Sequence, residues 1–121
     1  MRHIREAGVL GLVALLLAAV AAQAELCPML SRSYQITGYQ ALTVSNSAVG
    51  LTVPAGSGMA VAVLETAAVR LRQDGTNPTS TVGTPLTSGT QVVLCGGELS
   101  ASKFIRSTGT DGVLHVHYYG P

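Results

Sequence analysis

From Tyr39 to the C-terminus the chain is a series of short β-prone runs separated by Gly, Pro, Asn and Ser, and this punctuation limits the fold more than any other feature. Strands fit between such breakers; helices of ordinary length do not. Ala41-Leu42-Thr43-Val44 reads as a strand and Ser45-Asn46-Ser47 as a turn. Val49 to Val53 reads as a second strand, closed by Pro54 and expected to pair with the first as a hairpin. Ala60-Val61-Ala62-Val63-Leu64 is apolar at every position, the pattern of a central strand buried on both faces. Helix propensity competes over Met59 to Leu71. The Gly-rich lead-in offers no cap, however, and Val recurs at alternate positions, so strands are expected there.

Val69 and Leu71 then point one way and Arg70 and Arg72 the other. Asp74-Gly75 turns the chain into a loop rich in Thr, Ser and Pro, which ends at Gly83 and Pro85. Gln91 to Cys95 is a further strand, and Leu99 with Phe104 to Arg106 makes another. Val113 to Tyr119 is the last, entered through the hairpin signal Thr110-Asp111-Gly112. In it Leu114, Val116 and Tyr118 share one face, and His115, His117 and Tyr119 the other. The expected fold is all-β: an antiparallel sandwich or small barrel of seven to eight short strands, with Phe104 as its one large core ring.

The N-terminus is of a different kind. A short, mostly basic head is followed by an apolar run from Val9 to Ala22 and by Ala22-Gln23-Ala24, the small-x-small form of a signal-peptidase site. The apolar stretch falls short of the roughly 20 residues of a membrane span. Residues 1–24 are therefore read as a signal helix, 25–38 as an arm and 39–121 as the β domain, with no stable membrane anchor after cleavage. Beyond residue 24, Arg32, Arg70, Arg72, Lys103 and Arg106 balance Glu25, Glu65, Asp74, Glu98 and Asp111. That balance argues against nucleic acid as a partner and favours self-association through weak charge repulsion.

Two cysteines are present, Cys27 and Cys95. Paired, they would close a loop that stabilises the fold by about 4 kcal/mol in the chain-entropy model. The other reading is a buried Cys95 thiol and a free Cys27.

No catalytic set emerges. No Ser lies in a Gly-x-Ser-x-Gly elbow, and Asp74 and Asp111 precede Gly in turns, where local hydrogen bonding explains them. His115 and His117 share a strand face, but no third ligand is placed by spacing. No enzyme activity, metal or cofactor is expected. The residues singled out for protein contact are Arg70, Arg72, Asp74 and Asn77, together with His115, His117 and Tyr119.

Certain stretches also carry a resemblance: Ala41 to Ser45 followed by Ala48 to Pro54, Arg70 to Thr79 with Gly83 and Pro85-Leu86, Phe104 to Arg106, and Leu114 to Tyr119. In these the chain resembles small β-rich structural and decoration proteins of tailed phages and prophages, found among head and tail components. The resemblance implies a non-enzymatic virion protein (capsid decoration, fibre or collar) whose partners are copies of itself or capsid and tail proteins. The signal departs from that group. Translation from Met29 would place the protein in the virion; cleavage after Ala24 would make it a secreted or periplasmic domain that binds a protein or glycan. N-terminal sequencing of the native protein separates the two, Met29 for the virion and Glu25 for export. Intact mass before and after reduction tests the disulfide: a gain of two hydrogens shows the Cys27–Cys95 bridge, and no gain excludes it.

Overall fold

The computed structural model describes residues 34–121; the expected signal helix, most of the arm and Cys27 lie outside them. The described chain is all-β, as expected. Its strands are β1 (Gln35–Val44), β2 (Val49–Gly50), β3 (Met59–Glu65), β4 (Val69–Arg72), β5 (Thr84–Leu86), β6 (Gln91–Cys95), β7 (Lys103–Arg106) and β8 (Gly112–Gly120). The single short helix among them, α1, is Glu98–Ala101. The strands form two antiparallel four-stranded sheets, β1-β8-β3-β6 and β2-β7-β4-β5.

Apart from β4 and β5, consecutive strands lie in different sheets, and this overturns two expectations. Val49–Gly50 does not form a hairpin with Ala41–Val44. It pairs with β7 in the opposite sheet, Val49 facing Phe104, because the chain crosses the core at Ser45–Ala48. Likewise Asp111-Gly112 is no hairpin turn but a crossing from β7 to β8, held by Arg106 Nη1 donating to Asp111 Oδ1 at 2.6 Å. The chain passes close to itself there: a Cβ on Gly112 would lie 2.8 Å from the Ala67 carbonyl oxygen. A third crossing, from β3 to β4, places Thr66 at φ +84°, a left-handed conformation that β-branched residues rarely adopt.

Other differences are local. β1 begins at Gln35, so the end of the expected arm is already strand, bulged between Ile36 and Gly38. Leu99 belongs to α1, not to a strand, because Glu98 accepts the Ser102 amide and hydroxyl through its carbonyl oxygen and closes a helical turn. Met59–Glu65 and Val69–Arg72 are strands and not one helix, as alternation predicts, with the crossing at Thr66 between them.

Alternation also builds the core. Val44, Leu64, Val69, Leu94, Phe104, Leu114, Val116 and Tyr118 are buried between the sheets. Phe104 is therefore not the one large ring, since Tyr118 is equally enclosed. Its hydroxyl donates to Gln40 Oε1 at 2.7 Å, and burial raises the pKa of the phenol above its ordinary value. A buried hydroxyl needs such a partner. Phe104→Ala is expected to cost about 3–5 kcal/mol by cavity formation, and Tyr118→Phe about 1 kcal/mol through the lost hydrogen bond. Denaturant unfolding of both variants measures this ordering.

Candidate contact surfaces

The outer face of the first sheet follows from strand alternation and register. Val113, His115, His117 and Tyr119 of β8 point away from the core. Cross-strand pairing aligns Tyr39, His117, Val61 and Val93 in one row, and Ala41, His115, Val63 and Gln91 in the next. Ala60, Ala62 and Leu64 of β3 are buried, but Val61 is only partly covered and Val63 is exposed. β3 is thus central in its sheet yet covered on one face only. Five large apolar side chains are exposed among the described residues. Four of them, Ile36, Tyr39, Val63 and Val93, lie on this face; Val82 lies in a loop.

A polar cluster fixes the centre of the face. Tyr39 Oη and His115 Nδ1 are 2.6 Å apart and hydrogen-bonded. The Tyr39 ring stacks on His115 at 6.2 Å and tilts against His117 at 5.0 Å between centroids. His115 Nε2 is shielded from solvent, has no hydrogen-bond partner, and lies 3.4 Å from Glu65 Oε2. The ring is thereby held between β1 and β3, which makes Tyr39 a preorganised, half-exposed aromatic. Among the described residues no group of three His, Cys, Asp or Glu side chains could hold a metal ion.

The second sheet carries the expected arginines. Arg70 and Arg72 do share its outer face, beside Ile105 and Lys103 of β7, but both are engaged by their own loop. Arg70 Nη1 donates to the Gly83 carbonyl at 3.0 Å, while its Nε is buried without a partner. Gly83 has φ +133°, and a Cβ there would come within 3.0 Å of the Leu71 carbonyl oxygen, so glycine is required. Arg72 donates through Nε to Asp74 Oδ1 at 3.1 Å and through Nη2 to Oδ2. Asp74 also accepts the Thr76 amide. The Arg72 bonds, and then the Thr76 amide, hold the Asp74 carboxyl below its ordinary range, and the hydrogen bond to the same carboxylate raises the pKa of Arg72.

Further along, Thr79 Oγ1 accepts the Thr81 and Val82 amides at 3.3 and 2.9 Å, and Pro78 is buried. The loop lies back on the sheet beside a cleft of about 270 Å³ between Pro78–Ser80 and Ile105–Arg106, small for a ligand pocket. Asn77 is exposed at its outer turn.

The residues singled out from sequence therefore fall on two opposite surfaces. His115, His117 and Tyr119 lie on one; Arg70, Arg72, Asp74 and Asn77 lie on the other. Tyr39, Glu65, Val61, Val63 and Val93 were not singled out. The apolar run Ala60–Leu64 could have marked Val61 and Val63, its odd-numbered members, which face outward; no such signal marks Tyr39, Glu65 or Val93. Cys95 closes the rim of the first face with Met59, Tyr34 and Tyr119 and is not a free thiol. Comparison with protein-family models, curated proteins and solved structures finds no match.

Because Asp74 is exposed, its bonds organise the loop more than they stabilise the fold. Its depressed pKa means that this organisation is present above the ordinary carboxylate range and is lost as pH falls through the folded-state value. Relative to its intrinsic exchange rate, the Thr76 amide is expected to lose protection once pH falls below the ordinary carboxylate range, and equally in Asp74→Ala at neutral pH. The melting temperature should change little in both cases.

Proposed function

We propose that the chain is a non-enzymatic structural module that works by protein–protein contact through the outer face of its first sheet. The observation that carries this reading is the gathering of Ile36, Tyr39, Val63 and Val93 on that face, around a Tyr39 ring fixed by His115 and His117. Exposed apolar side chains scattered singly are ordinary, whereas several on one sheet face beside a fixed aromatic make that face the best candidate for a contact site. The arginine face is the weaker candidate, because Arg70 and Arg72 already bind Gly83 and Asp74.

The sequence resemblance supports the virion of a tailed phage as the setting, with copies of the chain and capsid or tail proteins as partners. The second setting is a secreted or periplasmic binding domain stapled by Cys27 and Cys95. The position of Cys95 at the rim of the same face favours it, since a bridge there would anchor the N-terminal arm beside the contact surface.

The double variant Tyr39→Ser with Val63→Ser tests the reading. Both side chains are exposed, so unfolding free energy should move by no more than about 1 kcal/mol. Co-sedimentation with capsids or tails from cells that carry the gene should be lost. Undiminished co-sedimentation of the folded variant would show that this face is not the contact.

A further inference from the structure

The two sheets have four edge strands, β1 and β6 in the first and β2 and β5 in the second. An open edge is a template for strand addition, and proteins blunt it with proline, charge, bulges or short length. Three of the edges are blunted in these ways. β2 has two residues, and β5 has three with Pro85 at its centre. β1 is bulged, and its Thr37 and Gln40 side chains are bonded to Ser57 and Thr52 of the segment beside it. β6, Gln-Val-Val-Leu-Cys, contains no proline and no charge, and its pairing with β3 is unbroken.

Hydrogen bonding shows which groups of β6 are open. Thr90 O accepts from Leu64 N, and Gly96 N donates to Gly58 O. Even-numbered residues from 90 to 96 therefore face β3, and the N–H and C=O groups of Gln91, Val93 and Cys95 point off the sheet. The Cys95 amide is taken by Glu98 Oε2 at 3.2 Å, which caps that end of the edge. Gln91 and Val93 remain, and among the described residues no strand pairs with this side of β6.

We propose that β6 pairs antiparallel with β6 of a second copy about a two-fold axis, Gln91 of each chain opposite Val93 of the other. In this register both open residues find hydrogen-bonding partners and the Glu98 caps stay intact. A second copy fits this edge because an uncharged strand meets itself without like-charge opposition, and because Glu98 limits the length of strand that can be added. The pairing also joins two exposed faces, since Val93 lies beside Val61 in the sheet, and so enlarges the patch offered to further partners. The inference rests on the contact-module reading and names its first partner; its geometry belongs to the edge alone.

Sedimentation equilibrium of the full chain tests it, with Val93→Pro, Val93→Lys and Tyr39→Ser as variants. The unsubstituted chain is expected to form dimers. Val93→Pro removes an outward amide that the β3 ladder does not use, and Val93→Lys places a charge at the edge. Each should raise the dimer dissociation constant at least about tenfold with an unchanged circular dichroism spectrum, while Tyr39→Ser leaves the dimer intact. If Val93→Pro fails to fold, Val93→Lys decides. A chain that stays monomeric at its highest soluble concentration overturns the proposal, as does a dimer that survives the Val93 substitutions. A dimer lost in Tyr39→Ser but kept in Val93→Lys would place self-association on the face and leave the contact-module reading standing. Slow exchange of the Gln91 and Val93 amides in a monomer would mean that the chain's own N-terminal residues cover the edge, and would also overturn the pairing.

Discussion

The pairing of β8 with β1 on one side and β3 on the other is the constraint on which the rest of the structure depends. The last strand of the chain occupies the middle of the first sheet, and its register with both neighbours fixes which residues enter the core. Leu114, Val116 and Tyr118 must point inward together, so His115, His117 and Tyr119 must point outward together. A shift of one residue would exchange the two sets and bury the imidazoles. The hydrogen bond from Tyr118 to Gln40 adds a second check on register, because the hydroxyl reaches its acceptor only when β1 and β8 are aligned as observed.

This central placement makes the sandwich a structure of distant contacts. Only β4 and β5 are both consecutive in the chain and paired in a sheet; every other ladder joins strands separated by a crossing or by most of the domain. The entropy of closing such loops precedes the reward of burial, which is the physical reason that folds of this kind form slowly. The crossings are built from local devices: the Arg106–Asp111 ion pair, the close approach at Gly112 and the left-handed Thr66. The loop after β4 is organised in the same way, with Arg70 and Arg72 spent on Gly83 and Asp74. Two cations that resembled a binding face therefore serve the fold first.

The surfaces left over differ in kind. The second sheet lies partly under its own loop, whereas the first presents Tyr39, Val63 and Val93 to solvent around a histidine cluster. Its β6 edge lacks the blunting found at the other edges. Face and edge meet at Val93, so the features that point to assembly are contiguous.

Alternation and breakers in the sequence were enough to determine an all-β domain, strands rather than a helix at β3 and β4, and the division of β8 into core and surface residues, because strand period is a local property of the chain. They also placed Arg70 and Arg72 on one face. Which strands lie side by side was decided only in three dimensions. Turn chemistry at Ser45–Ser47 and at Asp111-Gly112 is the same whether the chain reverses within a sheet or crosses to the other, so both turns read as hairpins and both are crossings. The composite face of Tyr39, His115, His117, Val63 and Val93 could not be read from sequence for the same reason. Its members come from four strands, and only long-range register brings them together.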